Sequence, residues 1–368
     1  MTLRDIQQIL EEWAPTEIAW KQDNVGLQVG DPTARIRRIL VALDVTLETI
    51  AEARRKGANL LISHHPLLFK PIYSITPATD IGRCVNALSK HGINVYSTHT
   101  NLDFIRDGTS FALAAALGLR NVEFLRMSYQ IQKKIVTFVP SDHVEQVADA
   151  MAQAGAGRIG NYDNCSFRIE GTGTFHGNPK SNPTVGKRGK LEYAPEVRLE
   201  MVASEWQTNN IIQAMKQAHP YEEVAYDLYP TENQSNEYGM GVVGSLERAV
   251  ELKSFLASVK RALGSRSLRC TGNLKKKVRR VAACGGSGSD LTEEAIRQDA
   301  DVFVTADVKY HTFHYAAAKI ALVDAGHYET EYPVVRSVVA KLKRELRKMG
   351  RQIPVYATKT STNPILYV

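Results

Sequence analysis

Cysteine is scarce and unpaired in this 368-residue chain: Cys84, Cys165, Cys270 and Cys284 stand far apart, with no CxxC spacing. That excludes a zinc finger and argues against a disulfide framework. Long apolar runs are missing as well. No stretch of roughly 18 uninterrupted apolar residues occurs, so no membrane-spanning helix is expected. The opening residues Met1–Gln8 lack the basic-then-apolar layout of a secretion signal, and a cytoplasmic location is expected. The excess of one charge sign is modest: 46 lysines and arginines against 39 acids, a formal net charge of +7. The densest basic runs, Lys275–Arg280 and Ala340–Arg351, carry no interleaved aromatics and no nucleic-acid motif. They read as solvated faces, and nucleic-acid binding is not expected.

What is present is a strong alternation of strands and helices. A chain of this length exceeds one compact core and implies two or three domains. Leu3, Ile6, Leu10 and Trp13 fall at helical spacing behind Thr2, a plausible cap. The apolar runs Ile39–Asp44, Asn59–Ser63 and Ile93–Ser97 then alternate with helical segments Leu47–Lys56 and Ile81–His91, which Gly57 and Gly92 stop. This rhythm predicts an α/β scaffold with parallel strands and crossover helices. Past Met127 the order becomes βαββαβ, with strands over 131–139, 165–175, 196–203 and 223–229 and helices over 142–154 and 206–218. That is the ferredoxin-like arrangement. Gly171–Pro195 reads as a long mobile hairpin or loop and Thr231–Tyr238 as a polar stretch closing the unit. The α/β rhythm resumes with strands over 278–283, 301–305, 320–323 and 353–357. The expected organisation is a discontinuous α/β scaffold, residues 1–128 and 232–368, with a ferredoxin-like α+β domain, 129–231, inserted in it.

Three polar clusters each follow the end of an apolar strand. Ser63-His64-His65-Pro66 places adjacent histidines just past a strand, where regular alternation no longer separates them. Neighbouring histidines suit two metals better than one. Ser97-Thr98-His99-Thr100-Asn101-Leu102-Asp103 pairs an imidazole with a carboxylate four residues on. Gly326-His327-Tyr328-Glu329-Thr330-Glu331 opens a helix that sets His327 and Glu331 on one face; if the turn is not helical, Glu329 becomes the rival ligand. Ligands of open α/β sheets gather at the carboxyl ends of strands. Imidazoles with carboxylates suit zinc, iron, manganese or cobalt.

Other segments carry weaker signals. The glycine-rich turn Cys284–Asp290 resembles a phosphate cradle, with Gly285, Gly286 and Gly288 the candidate anion binders, yet matches neither GxGxxG nor Walker A. The same residues also suit a plain tight turn. Asp307, Lys309 and His311 follow another strand end as candidate substrate or supporting groups, or as ordinary helix caps. Cys284 reads as a buried thiol, and His91, His143 and His176 as structural. His219, Tyr221 and Glu222 fit either a site in the inserted domain or a tight turn.

These clusters, with Asp23-Asn24-Val25-Gly26-Leu27-Gln28-Val29-Gly30 and Thr305-Ala306-Asp307-Val308-Lys309-Tyr310-His311, resemble the GTP cyclohydrolase I type 2 homologues, the Nif-three-like family. The stretches occur in the family's order and cover both halves of the scaffold. The resemblance implies two related α/β units facing a dinuclear centre, two divalent ions per chain, and His64, His65, Asp103, His327 and Glu331 as ligands, with His99 an added ligand on the same loop. It also implies a toroidal homohexamer and a PII- or CutA-like insert. The reaction implied is metal-dependent hydrolysis of a nucleotide ring or a phosphate-containing substrate. A hydroxide bridging metals about 3.5–4 Å apart would be the nucleophile. Asp307 or His311 would be the general acid/base, and Lys309 with Gly285–Gly288 would hold phosphate. The alternative is a non-enzymatic metal-binding regulator or chaperone whose insert senses a ligand or a partner.

Overall fold

The computed structural model describes residues 1–129 and 132–367, and the chain divides into two compact units, Met1–Arg126 with Tyr238–Val368, and Met127–Glu237. The larger unit contains two sheets. The first orders its strands Gly26–Val29, Asn94–Ser97, Leu60–Ser63, Ile39–Ala42 and Val355–Ala357. The last four are mutually parallel, and Gly26–Val29 runs antiparallel on the edge. All four residues of each central strand are buried, as expected of a parallel sheet covered on both faces. Alternation sorts them between two cores: Ile39, Val41 and Ile62 pack with helices Leu3–Trp13 and Pro333–Lys348, while Leu40, Leu61 and Val95 pack with Ile50, Ala53 and Leu88. Each such side chain contributes roughly 1.5–3 kcal/mol on burial.

Local chemistry sets the helix ends. Thr2 and Asp5 form a reciprocal capping box on Leu3–Trp13, satisfying two otherwise unpaired donors. Gly57 and Gly92 end helices Leu47–Lys56 and Asp80–His91 in left-handed conformation, at φ 66° and 59°, which glycine adopts without steric cost.

The second sheet runs Arg269–Cys270, Ala321–Asp324, Val302–Thr305, Lys277–Ala283, Gln234–Glu251 and Arg120–Tyr129. Lys277–Ala283, Val302–Thr305 and Ala321–Asp324 are parallel, whereas Arg269–Cys270 and Gln234–Glu251 pair antiparallel. The two sheets are therefore mixed rather than purely parallel. The antiparallel edges Gly26–Val29 and Arg269–Cys270 escape a periodicity reading because they have only four and two residues.

In the unit Met127–Glu237 the sheet order is Phe167–His176, Leu191–Ser204, Gln132–Pro140 and Tyr226–Pro230, with every pairing antiparallel. Helices Val144–Gln153 and Thr208–Ala218 pack on one face around Ile135, Val139, Val197, Leu199, Ile211 and Met215. The elements follow one another as βαββαβ. Residue 131, where the first of these strands was expected to begin, lies outside the described residues. Gly171–Pro195 is a hairpin: Gly171–His176 pairs with Leu191–Glu196, and 177–190 forms its loop. Pro195 is tolerated there because the neighbouring ladder to Gln132–Pro140 stops at the Pro140–Glu196 pair. The polar stretch Thr231–Tyr238 ends the unit, which runs to Glu237, and strand Gln234–Glu251 begins inside it. No helix among the described residues is long and apolar enough to cross a membrane.

Candidate metal centre

The backbone continues its ladder just past strand Leu60–Ser63: His64 N donates to Ala42 O at 3.2 Å and His65 N to Leu43 O at 2.9 Å. This holds both histidines at the carboxyl end of the first sheet. His99 caps the short helix Thr100–Asp103, which carries Asp103 back beside it. His327 and Glu331 stand on helix His327–Glu331, directly after strand Ala321–Asp324 of the second sheet, with Nε2 and Oε1 3.1 Å apart. Glu331 also lies 2.9 Å from His65 Nε2 and 3.8 Å from His64 Nε2, while Asp103 Oδ1 lies 3.6 Å from His64 Nε2. The imidazole rings of His64, His65, His99 and His327 follow one another at centroid distances of 5.0 to 5.6 Å.

Each imidazole is held through its Nδ1. His65 Nδ1 faces Asp44 Oδ1 at 2.7 Å, His99 Nδ1 faces both oxygens of Asp23 at 2.9 Å, and His327 Nδ1 faces Asp307 Oδ2 at 2.6 Å. His64 Nδ1 faces the carbonyl of Thr98 at 2.8 Å. Ionised carboxylates and carbonyls only accept, so Nδ1 carries the proton in all four rings, and the Nε2 lone pair of the neutral form is left for the centre. Carboxylates behind metal-ligating histidines act in this way, fixing tautomer and ring orientation.

The electrostatics follow from burial among mixed charges. Burial opposes ionisation of Glu331, but the imidazoles of His327, His64 and His65 around it hold its carboxyl well below the usual range. Burial also opposes charge on His65, yet Asp44 and Glu331 push its pKa up to about 10. His327 is pushed up to about 9, chiefly by Glu331 and then by Asp307. Burial raises Asp103. His64 Nε2 and Asp103 Oδ1 are buried without a hydrogen-bond partner. Groups orphaned in this way require a ligand, and a cation bound by nitrogen and carboxylate oxygen meets the need of both. Two overlapping groups, His64 with His65 and His99, and His65 with His327 and Glu331, could each hold a metal ion.

Several residues lie elsewhere than their sequence context suggested. Glu329 turns away to accept from Asn363 Nδ2 at 3.1 Å. The amides of Gly286 and Gly288 donate to the hydroxyls of Thr330 and Thr305 at 3.0 Å, and that of Gly285 to Ser110 Oγ at 3.4 Å. Amides spent in this way do not cradle a phosphate. Gly286 is required instead because its φ is 62° and because a β-carbon there would collide with Glu331 Oε1. Asp307 holds His327 from a left-handed conformation, φ 53°, a strained geometry that serves to aim the carboxylate. Its oxygen is thus engaged in orienting a ring rather than free for proton transfer. Lys309 caps helix Tyr310–Ala316, and His311 packs edge-on against Tyr310 on its exposed face. Neither contacts the histidine cluster among the described residues. Burial pushes the Cys284 thiol up to about 12, far from a nucleophile's range. His219 builds a turn, with Nε2 3.0 Å from Phe138 O and Nδ1 accepting from Tyr221 N at 3.1 Å.

The anchoring roles of Asp44, Asp23 and the Thr98 carbonyl escaped sequence reasoning. Asp44 had a usable signal: it is a carboxylate just past strand Ile39–Ala42, the same topological position as the histidine clusters.

Parallel strands whose carboxyl ends converge on four imidazoles and two carboxylates define an α/β protein with a candidate metal centre. The sequence profile of the Duf34/NIF3 (NGG1p interacting factor 3) family matches residues 1–364, and the chain belongs to that family. It is similar to the protein of Halalkalibacterium halodurans named GTP cyclohydrolase 1 type 2 homolog, 39% identical over 363 residues that cover 98% of this chain and 97% of that one. The Bacillus subtilis protein of the same name is 38% identical over 367 residues, covering 99% and 98%. Among solved structures, a Bacillus cereus protein related to NIF3 matches with TM-score 0.87 and 38% identity, over 100% of this chain and 99% of that one.

Proposed function

We propose that this chain is a metal-dependent hydrolase that holds two divalent ions, zinc, iron, manganese or cobalt, and acts on a nucleotide-like substrate. The observation that carries the reading is the convergence of four Nδ1-anchored imidazoles on Glu331 and Asp103. Two overlapping donor groups that share His65 favour two positions over one. A divalent ion in such a site supplies Lewis-acid polarisation and lowers the pKa of water. The chain's own residues supply orientation: Asp44, Asp23 and Asp307 fix the rings, and the glycine at position 286 lets Glu331 reach the centre. Phe69 meets His99 edge-on at 6.1 Å and is half exposed, an aromatic surface beside the cluster that suits a flat ring. The name carried by the Halalkalibacterium and Bacillus relatives supports a guanine nucleotide as the first substrate to try.

The test is elemental analysis of untagged protein, wild type beside the double variant His65→Ala, Glu331→Ala, followed by assay of GTP and other nucleotides with each metal. Two ions per chain, lost in the variant, with turnover that disappears alongside them, is the expected result. Metal-free wild type that takes up none of the four ions would overturn the reading. Two bound ions without hydrolysis of any nucleotide would favour a metal-binding regulator. That second reading draws support from the separate core of the unit Met127–Glu237. The family resemblance further points to a homohexamer in the cytoplasm, and light scattering would give its mass.

A further inference from the structure

The most developed feature outside the histidine cluster lies within the unit Met127–Glu237. Both of its helices cover one face of the sheet. On the other face Phe138, Arg198 and Ile169 stand in one row as direct cross-strand partners. The segment 177–189 closes on itself through Gly189 N to Gly177 O at 2.8 Å and is tied to the turn at 220–222. There Asn182 N donates to Glu222 Oε1 at 2.5 Å and Thr184 Oγ1 donates to Pro220 O at 2.9 Å. Sheet, loop and turn enclose a cavity of about 660 Å³, within the size range of small-molecule sites.

The walls join apolar surface to an excess of negative charge. Phe138, Ile169, Phe175 and Val185 face the cavity alongside the carboxylates of Glu170, Glu196, Glu222 and Glu223. None of these four forms an ion pair among the described residues. Arg198, which also lines the cavity, has its Nε 2.8 Å from Glu200, to which Lys134 is paired at 3.0 Å. Glu196 is seated across the strand because residue 173 is glycine; a β-carbon there would collide with its carboxylate. Tyr221 Oη, in the same wall, is shielded from water and faces the Glu196 carboxylate. In a chain of net charge +7 this is a local reversal of sign, and apolar walls focus the potential of the carboxylates they surround.

We propose that this cavity is a binding site for a small organic cation, an ammonium group on an apolar stem. The ammonium lies against Glu196 and Tyr221 Oη, which accept its protons, and the stem packs on Phe138 and Ile169. Anionic ligands such as nucleotides are repelled by the same four carboxylates, so the site is chemically distinct from the histidine cluster and does not depend on the function proposed for it.

The test is calorimetric titration of the full-length protein with hexylamine and with hexane-1,6-diamine at constant ionic strength. Hexanoate, with the same stem and opposite charge, serves as the control. The amines are expected to saturate one site per chain and hexanoate none. Glu196→Gln and, separately, the exposed Glu223→Gln should each weaken amine binding by about tenfold, while His65→Ala leaves it unchanged. Equal binding of hexanoate and hexylamine, no saturable amine binding, or amine affinity indifferent to both glutamate substitutions would each overturn the proposal.

Discussion

The α-carbon of Gly286 faces Oε1 of Glu331 so closely that a β-carbon at residue 286 would occupy the same space, and His327 Nε2 lies 3.3 Å from that position. Gly286→Ala therefore must displace Glu331 and also strain a backbone held at φ 62°. It is expected to cost about 1–3 kcal/mol of stability and to weaken metal uptake more than any surface glycine substitution would. Thermal melts and metal titration of the variant beside Gly118→Ala, also at positive φ but in open space, separate the steric effect from the backbone one.

The carboxylates behind the imidazoles give a second set of tests. Asp44→Asn, Asp23→Asn and Asp307→Asn remove the charge that orients His65, His99 and His327 while keeping shape. Each is expected to lower metal affinity about 10- to 100-fold with the fold retained. His311→Ala is expected to change nothing, since that ring sits on Tyr310. Competition titration against a coloured chelator measures all four.

Proton release provides the third. With pKa values of about 10 and about 9, His65 and His327 hold protons at neutral pH when no metal is bound, and a metal must displace both. Apparent affinity should therefore rise with pH, with a log–log slope of about two or more below pH 9, since Asp103 and Glu331 raise His64 as well, against burial; a slope of zero in titrations at pH 6, 7 and 8 would refute this. The stability consequence has the opposite sign. Both groups have folded-state values above the unfolded value of about 6.5, so their contribution is complete below that pH. It fades as pH climbs through about 9 and 10, and the melting temperature of chelator-treated protein should fall over that interval.

Glu52 predicts an acid counterpart. It is buried and accepts from Thr358 Oγ1 at 2.6 Å, Thr360 Oγ1 at 2.7 Å and the Lys359 amide at 3.1 Å. Burial opposes its charge, but these donors lower its pKa to about 2. Its contribution is present above the unfolded value of about 4.3 and is lost as pH falls toward 2. Glu52→Ala leaves three donors unsatisfied and should cost about 2–4 kcal/mol, read from urea unfolding. Metal affinity should drop with it, because the same terminal segment carries Thr362, whose hydroxyl donates to Asp44 behind His65.

The legible parts of this molecule are those encoded at short range. Gly57 and Gly92 stop their helices in the sequence as in the structure, and the four-residue spacing of His327 and Glu331 brings their polar atoms together because one helical turn does so. The anchoring carboxylates were not legible: Asp44 lies 21 residues from His65 and Asp23 lies 76 residues from His99. No local period encodes either pairing. Glycine-rich composition left alternatives open at two places. At 171–173 cross-strand pairing selects the hairpin, and at 285–288 a steric demand from Glu331 goes with the tight turn. Both demands come from residues distant in the chain.

The interruption of the larger unit by Met127–Glu237 has a consequence for biosynthesis. His64, His65, His99 and Asp103 leave the ribosome first, and Glu331 follows about 230 residues later. At roughly 5–20 residues per second, these four residues wait on the order of 10–50 seconds for His327 and Glu331. The intervening unit, with its own core, has time to fold meanwhile. Until helix His327–Glu331 emerges, the three early imidazoles have no Glu331 beside them, so the complete donor set exists only near the end of translation. The donor group of His65, His327 and Glu331 is therefore completed last, in a chain that is otherwise largely made.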